Sequence, residues 1–344
     1  MNSKERVLAV FKHQIPDRPP LWVGMSSEFE SKACQELQID TEALSLRFGD
    51  DFRVVRADFA GVTADAYGHY LSPFGVPREG YGYGMPMTHP LAAAGTIAEL
   101  DRWNWPSTDQ IEVSGIRPRI LAYHDKYAIL SGDWSPLWHD AIDLVGMENL
   151  FIKMFDCPEF VLELFKRITD YYVASNRKIF NASADLIDVM FIGNDLGAQT
   201  GALLSPELFR TFLLPSLQRL FDLGHEYGLR VQMHCCGGVA ELLDDLIVAG
   251  LDAIHAVQCT CRGMELSELK TKFGSRIILN GGIDSHHILL DGTPQFVKEK
   301  TLEVLSVMSP GGNYIAGASH DTILQQTPVE NVLAMCDAVT CFNK

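Results

Sequence analysis

The residues best suited to chemistry lie in one run, MHCCGG, from Met233 to Gly238. An imidazole and a thiol two positions apart offer the nitrogen and sulfur ligands that zinc favours. Successive side chains on an extended strand point to opposite faces, so His234 and Cys236 share one face and Cys235 takes the other. Val231 and Met233 alternate with Gln232 and His234, which puts His234 on the inner side of a sheet. Cys235 is then expected to pack outward as a small hydrophobe. Gly237 and Gly238 end the strand and leave room above it. The competing reading of so short a motif is a buried histidine beside an inert cysteine. A metal site needs a third ligand. His320, just after the last strand, is the preferred candidate, with Cys259 and Cys261 as alternatives nearer in sequence. An open fourth position would take water or substrate, as a catalytic zinc requires.

The elements that must position these groups recur along the chain. Short apolar runs at Pro20–Gly24, Phe52–Asp58, Ala128–Asp133, Asp188–Asn194, Leu229–His234, Asp252–Val257, Arg276–Asn280 and Asn313–Gly317 each precede a polar or glycine-containing turn and a helical stretch. Strand and helix in alternation imply a parallel sheet. Eight such units without a Gly-rich dinucleotide loop predict an α/β fold, a (β/α)₈ TIM barrel. Ser205-Pro206-Glu207, Thr293-Pro294 and Thr327-Pro328-Val329-Glu330 each offer a hydroxyl cap before a proline, and Glu330 stands at a capping-box position. Cys157-Pro158-Glu159 opens a long helix to about Asn181, and Pro215 should kink the helical stretch Ser205–Tyr227. Residues 61–90, including GYGYGMPM from Gly80 to Met87, are too long and aromatic for a plain connector and predict an insertion over the barrel mouth.

In a barrel the C-terminal strand ends meet on one face, where active sites are built. Here those ends carry Glu28, Asp58, Asp133-Trp134, Asn194-Asp195, His234 and Cys236, Gln258, Asn280 with Asp284, and His320. We take His234, Cys236 and Asp195 as the expected catalytic groups and His234, Cys236 and His320 as the expected metal ligands. Glu28, Asp58, Trp134, Asn194, Gln258, Asn280 and Asp284 are the expected substrate-binding residues. His139, in an aromatic loop, is a weaker substrate candidate, and His255 reads as a packed mid-strand histidine.

Composition narrows the function. The 344 residues, 47% hydrophobic, suffice for a single domain over residues 1–344. A formal net charge of −16, from 28 basic and 44 acidic side chains, would repel a phosphate backbone and argues against nucleic acid. No run of about 20 apolar residues predicts a membrane span. The N-terminal run MNSKERVLAVFKHQIPDRPP lacks a long apolar core and reads as a short amphipathic helix ended by Pro16, which predicts the cytoplasm and eight mostly reduced cysteines.

The stretches FIGNDLGAQTGALLSPELFRTFLLP, MHCCGGVAELLDDLIVAGLDAI, ILNGGID and TPVEN together resemble the uroporphyrinogen decarboxylase superfamily, and within it the zinc-dependent corrinoid methyltransferases. The resemblance covers nearly the whole chain and implies the same barrel. It implies zinc on His234 and Cys236, a corrinoid (cobalamin) carried by a partner protein, and a small methyl donor or acceptor such as a methoxylated aromatic or a thiol. Gln258 falls where relatives carry an acid or amide beside the metal, and a homodimer is compatible with the resemblance. Two departures matter. Uroporphyrinogen decarboxylases carry an Arg-Gln-Ala-Gly-Arg run after the first strand; here the place reads VGMSSEFESK, with no arginine between Arg18 and Arg47 to grip substrate carboxylates. Members that methylate coenzyme M use a further cysteine near the last strand; here it reads AGASHDTILQQTP, with His320 the nearest substitute. The alternatives are a lyase acting on a tetrapyrrole and a non-catalytic barrel that binds corrinoid or porphyrin.

Overall fold

The computed structural model describes residues 1–60, 65, 67–80 and 84–343. The start of the 61–90 insertion and Tyr81 and Tyr83 of its GYGYGMPM run lie outside the described residues.

Eight parallel strands form one sheet: β1 (Leu21–Trp22), β2 (Phe52–Val54), β3 (Ala128–Ser131), β4 (Val189–Gly193), β5 (Arg230–His234), β6 (Ala253–Val257), β7 (Ile278–Ile283) and β8 (Tyr314–Ala318). Their order is β1-β8-β7-β6-β5-β4-β3-β2. The two ends of this ladder meet at Asp51, whose N–H donates to the Leu21 carbonyl at 3.0 Å while its carboxylate accepts from the Leu21 N–H at 2.8 Å. The result is the (β/α)₈ barrel expected, and every expected strand has a counterpart.

Alternation along the strands sorts side chains into two layers. Val189 and Phe191 of β4, Ala253 of β6, Ile278 of β7 and Ile315 of β8 fill the interior with Trp22 and Phe52. Helix α1 (Ser3–Phe11) sends Val7, Val10 and Phe11 into the same cluster and plugs the barrel's lower end. Met190, Ile192, Val231, Met233 and Cys235 face outward into the shell between strands and helices.

Boundaries differ from the sequence reading where backbone geometry intervenes. Strand β7 runs three residues past Asn280, to Ile283. Gly281 and Gly282 continue it at φ +115° and +92°, and a Cβ at Gly281 would lie 2.8 Å from the Val257 nitrogen. Glycine lets two strands approach there, where it had read as a stop. Strand β2 ends at Val54, and Asp58–Phe59 pairs antiparallel with Ile111–Glu112 instead. Ser205 and Thr293 cap their helices as expected, accepting from Leu208 and Phe296 N–H groups. The last helix starts one residue late, at Val329, with Pro328 in the cap position and no side-chain cap. Before Pro215 the helix widens into a π segment, Phe209–Leu213, because proline lacks the N–H that would continue the α ladder.

Past residue 61 the insertion builds a three-stranded antiparallel sheet from Tyr70–Leu71, Pro77–Glu79 and Met85–Pro86. Arg78 ties it to helix α2 (Leu137–Val145) by a buried 2.6 Å ion pair with Asp143. The strand Met85–Pro86 forms part of the roof of the mouth. Among the described residues no helix is long and apolar enough to cross a membrane.

Candidate metal centre

His234 is the last residue of β5, paired on one side with Gly193 of β4 and on the other with His255 of β6. This double pairing fixes the strand's facing, so the His234 ring turns inward and Cys235 outward. Above it, the β4 loop brings Asp195 over the strand end. Fully buried Asn194 anchors that loop, accepting from the Trp138 N–H at 3.0 Å and donating to the Ser135 carbonyl at 3.1 Å.

Three donors converge there. His234 Nε2 lies 3.2 Å from Cys236 Sγ and 3.3 Å from Asp195 Oδ1. All three ligand atoms fall within 4.8 Å of one another. Bonds of about 2.0–2.3 Å at tetrahedral angles separate ligand atoms by about 3.3–3.6 Å, so the spacing fits a small divalent cation such as zinc. The electrostatics agree. Burial, and then the Asp195 charge, push the Cys236 thiol well up, so the sulfur becomes a thiolate ligand only if a cation stands beside it. Burial alone would raise Asp195, yet the imidazoles of His139 and His234 beside it hold its carboxyl far below the usual range. Asp195 is therefore a fixed negative charge at neutral pH. Its Oδ1 also accepts from the Cys236 N–H at 2.8 Å, and its Oδ2 lies 3.3 Å from His139 Nε2.

Trp134 stacks on His234 with ring centroids 5.7 Å apart and planes 24° from parallel. A Cβ at Gly193 would fall 2.0 Å from this indole, so only glycine at the end of β4 lets the ring lie across it. The cluster floors a cavity of about 630 Å³ whose other walls include Met85, Pro86, Ile142, Met147 and Asp321. A second cavity of about 550 Å³ toward β1 and β2 shares Trp134 and Asp321, and a third of about 560 Å³ toward β6–β8 shares His320.

The expected residues divide. Asp195, His234, Cys236 and Trp134 come together. Gln258 joins them, its Nε2 3.7 Å from Cys236 Sγ. His320 lines the same cavity, but its Nδ1 faces the Thr322 carbonyl at 3.0 Å, and it belongs to neither metal-ligand group found among the described residues. Asp284 lines the third cavity and caps its own loop, accepting from the His286 and His287 N–H groups. Asn194 and Asn280 are buried supports; Asn280 donates to Gln232 at 3.2 Å inside the barrel. Glu28 is exposed in the first turn of the helix Ser27–Leu37, and Asp58 is exposed and paired with Arg119 at 2.9 Å. Neither lines any of the three cavities.

Three neighbours of the centre were undervalued in the sequence. His139 reaches Asp195 from α2 and lines the main cavity. His255 is fully buried, and burial holds its pKa well below the usual histidine value. Its position one strand over from His234 was the available signal. Asp321 was overshadowed by its neighbour His320; its Oδ1 lies 3.8 Å from His234 Nδ1.

Fold and mouth define a (β/α)₈-barrel protein with a cluster of metal-ligand side chains at the C-terminal end of its fifth strand. The family profile described as uroporphyrinogen decarboxylase (URO-D) matches residues 125–342, and the chain belongs to that family. No curated protein matches it. Among solved structures it is similar to a methyltransferase from Methanosarcina mazei, with a TM-score of 0.68 and 21% identity over 100% of both chains; at that identity the likeness speaks for the fold.

Proposed function

We propose that this protein is a metal-dependent methyltransferase that moves a methyl group between a small methylated substrate or thiol and a cobalt corrinoid carried by a partner protein in the cytoplasm. The observation that carries the proposal is the convergence of Asp195, His234 and Cys236 on one point at the floor of the mouth. The methyltransferase name of the full-length structural neighbour supports the reaction class.

His234 Nε2, Cys236 Sγ and an Asp195 oxygen would hold zinc, with His320 near enough in the cavity to contribute to substrate contacts. Zinc there supplies Lewis acidity toward a methyl-bearing oxygen or sulfur, or keeps an acceptor thiol ionised. The protein's own residues do the rest. Trp134, stacked on His234, gives the mouth an aromatic wall beside the centre, suited to a small substrate such as a methoxylated arene. Met85, Pro86, Ile142 and Met147 make the opposite walls apolar and exclude water from the bond that breaks. Asp195 keeps a constant charge beside the ligand nitrogen.

Transfer of methyl to or from free cobalamin tests this directly. His234→Ala is expected to abolish it, and full activity in that variant would contradict a catalytic metal. A second reading, decarboxylation of a tetrapyrrole, has the family's description in its favour. Against it, the segment after β1 supplies a helix with exposed Glu28 where carboxylate-gripping arginines would be needed. Decarboxylation of uroporphyrinogen by the purified protein would establish that reading instead.

A further inference from the structure

We infer that His255 is a positioning residue: its Nδ1 accepts the Nδ1 proton of His234 and so leaves His234 Nε2 bare toward Asp195 and Cys236. The inference rests on the metal centre proposed above.

A neutral imidazole carries one N–H, and the nitrogen without it is the one that can bind a cation. In His234 the nitrogen facing the other donors is Nε2. The proton must then sit on Nδ1, inside the barrel, where it needs an acceptor. Among the described residues two groups stand near that atom. Asp321 Oδ1 is 3.8 Å away, beyond hydrogen-bond length, whereas His255 Nδ1 is at 3.1 Å. Ring nitrogens that bind metals are commonly fixed in this way by a partner on the other nitrogen.

His255 is built to stay in place. The β5–β6 ladder pairs it directly with His234, and its carbonyl accepts the Cys235 N–H. Its ring has no solvent exposure and is held edge-on by Trp22 at 5.5 Å and by Phe191 at 5.7 Å. With Nδ1 accepting, the His255 proton sits on Nε2, a buried nitrogen with no hydrogen-bond partner among the described residues, so the acceptor aimed at His234 is the polar contact that a phenylalanine here would lose.

The group His234, His255 and Asp321 also gathers ligand atoms within 4.8 Å of one another, as a second cation site would. Filling both sites would leave the His234 ring without its one N–H, so we assign the inner group to hydrogen bonding.

The test uses the full chain with two substitutions. His255→Phe keeps the ring volume and removes the acceptor. His255→Asn puts a side-chain oxygen near the place of Nδ1. Zinc affinity is read by competition with a chromophoric chelator, and ligand geometry from the visible spectrum of the cobalt(II) form. His255→Phe is expected to weaken zinc binding by about 10–100-fold and to alter the cobalt spectrum, as loss of an outer partner does elsewhere. His255→Asn is expected to restore most of the affinity. Wild-type affinity in the Phe variant would overturn the inference while leaving the metal centre standing. So would Asn binding as weakly as Phe, or two zinc ions per wild-type chain. No zinc on the wild-type chain would overturn the metal centre itself.

Discussion

The rim of the barrel at β4–β6 and the seam between β1 and β2 solve opposite problems. At β4–β6 each strand has five residues, and β5 is paired on both sides. Backbone hydrogen bonds hold the sheet there, and side chains at the strand ends are free to face one another: His234, Cys236, Asp195 and His255. At the seam β1 has two residues and β2 three. Side chains must complete the closure. Asp51, with no solvent exposure, accepts from Arg6 Nη1 and Arg18 Nη1, each at 2.8 Å, and from the Leu21 N–H. Polar residues make structure at the seam and a candidate site at the rim.

The contrast can be broken first at the seam. Asp51→Ala would leave the largely buried Arg18 guanidinium without its carboxylate and Arg6 with Asp17 alone, and a loss of about 3–5 kcal/mol of stability is expected by denaturant unfolding. A variant as stable as wild type would mean that the β1–β2 closure does not depend on this carboxylate. The zinc affinity of the folded fraction should stay unchanged, because none of the seam groups reaches the centre.

Smaller effects sharpen the comparison. Asp58, expected at the mouth from sequence, should behave as half of a surface ion pair with Arg119; Asp58→Asn is expected to cost less than about 1 kcal/mol in thermal unfolding. Glu28→Gln should leave zinc affinity and methyl transfer at the wild-type level. A marked fall in either activity would show that the mouth extends over β1 and β2 further than its cavities suggest.

The same contrast explains what the sequence disclosed. At β5 the period-two pattern from Val231 to Cys236 predicted the facing of each residue, because a strand paired on both sides obeys alternation. Asp195 was legible as a polar group at a strand end. Asp58 was misplaced because β2 stops at Val54, and nothing in FRVVRADF marks where pairing with β3 ends and pairing with residues 111–112 begins. His255 read as packing alone. Its partner lies 21 residues away, and only strand register brings the two rings together. Asp321 stood beside a histidine whose ring turns back to its own loop. No periodicity encodes such a rotamer.

The most direct measurement is the zinc content of the purified chain and of two neighbouring cysteine variants. About one zinc per chain is expected, lost or sharply reduced in Cys236→Ser and retained in Cys235→Ser, because the Cys235 sulfur turns into the buried apolar shell and accepts from the Leu196 N–H. A metal that survives in Cys236→Ser and disappears in Cys235→Ser would contradict the account.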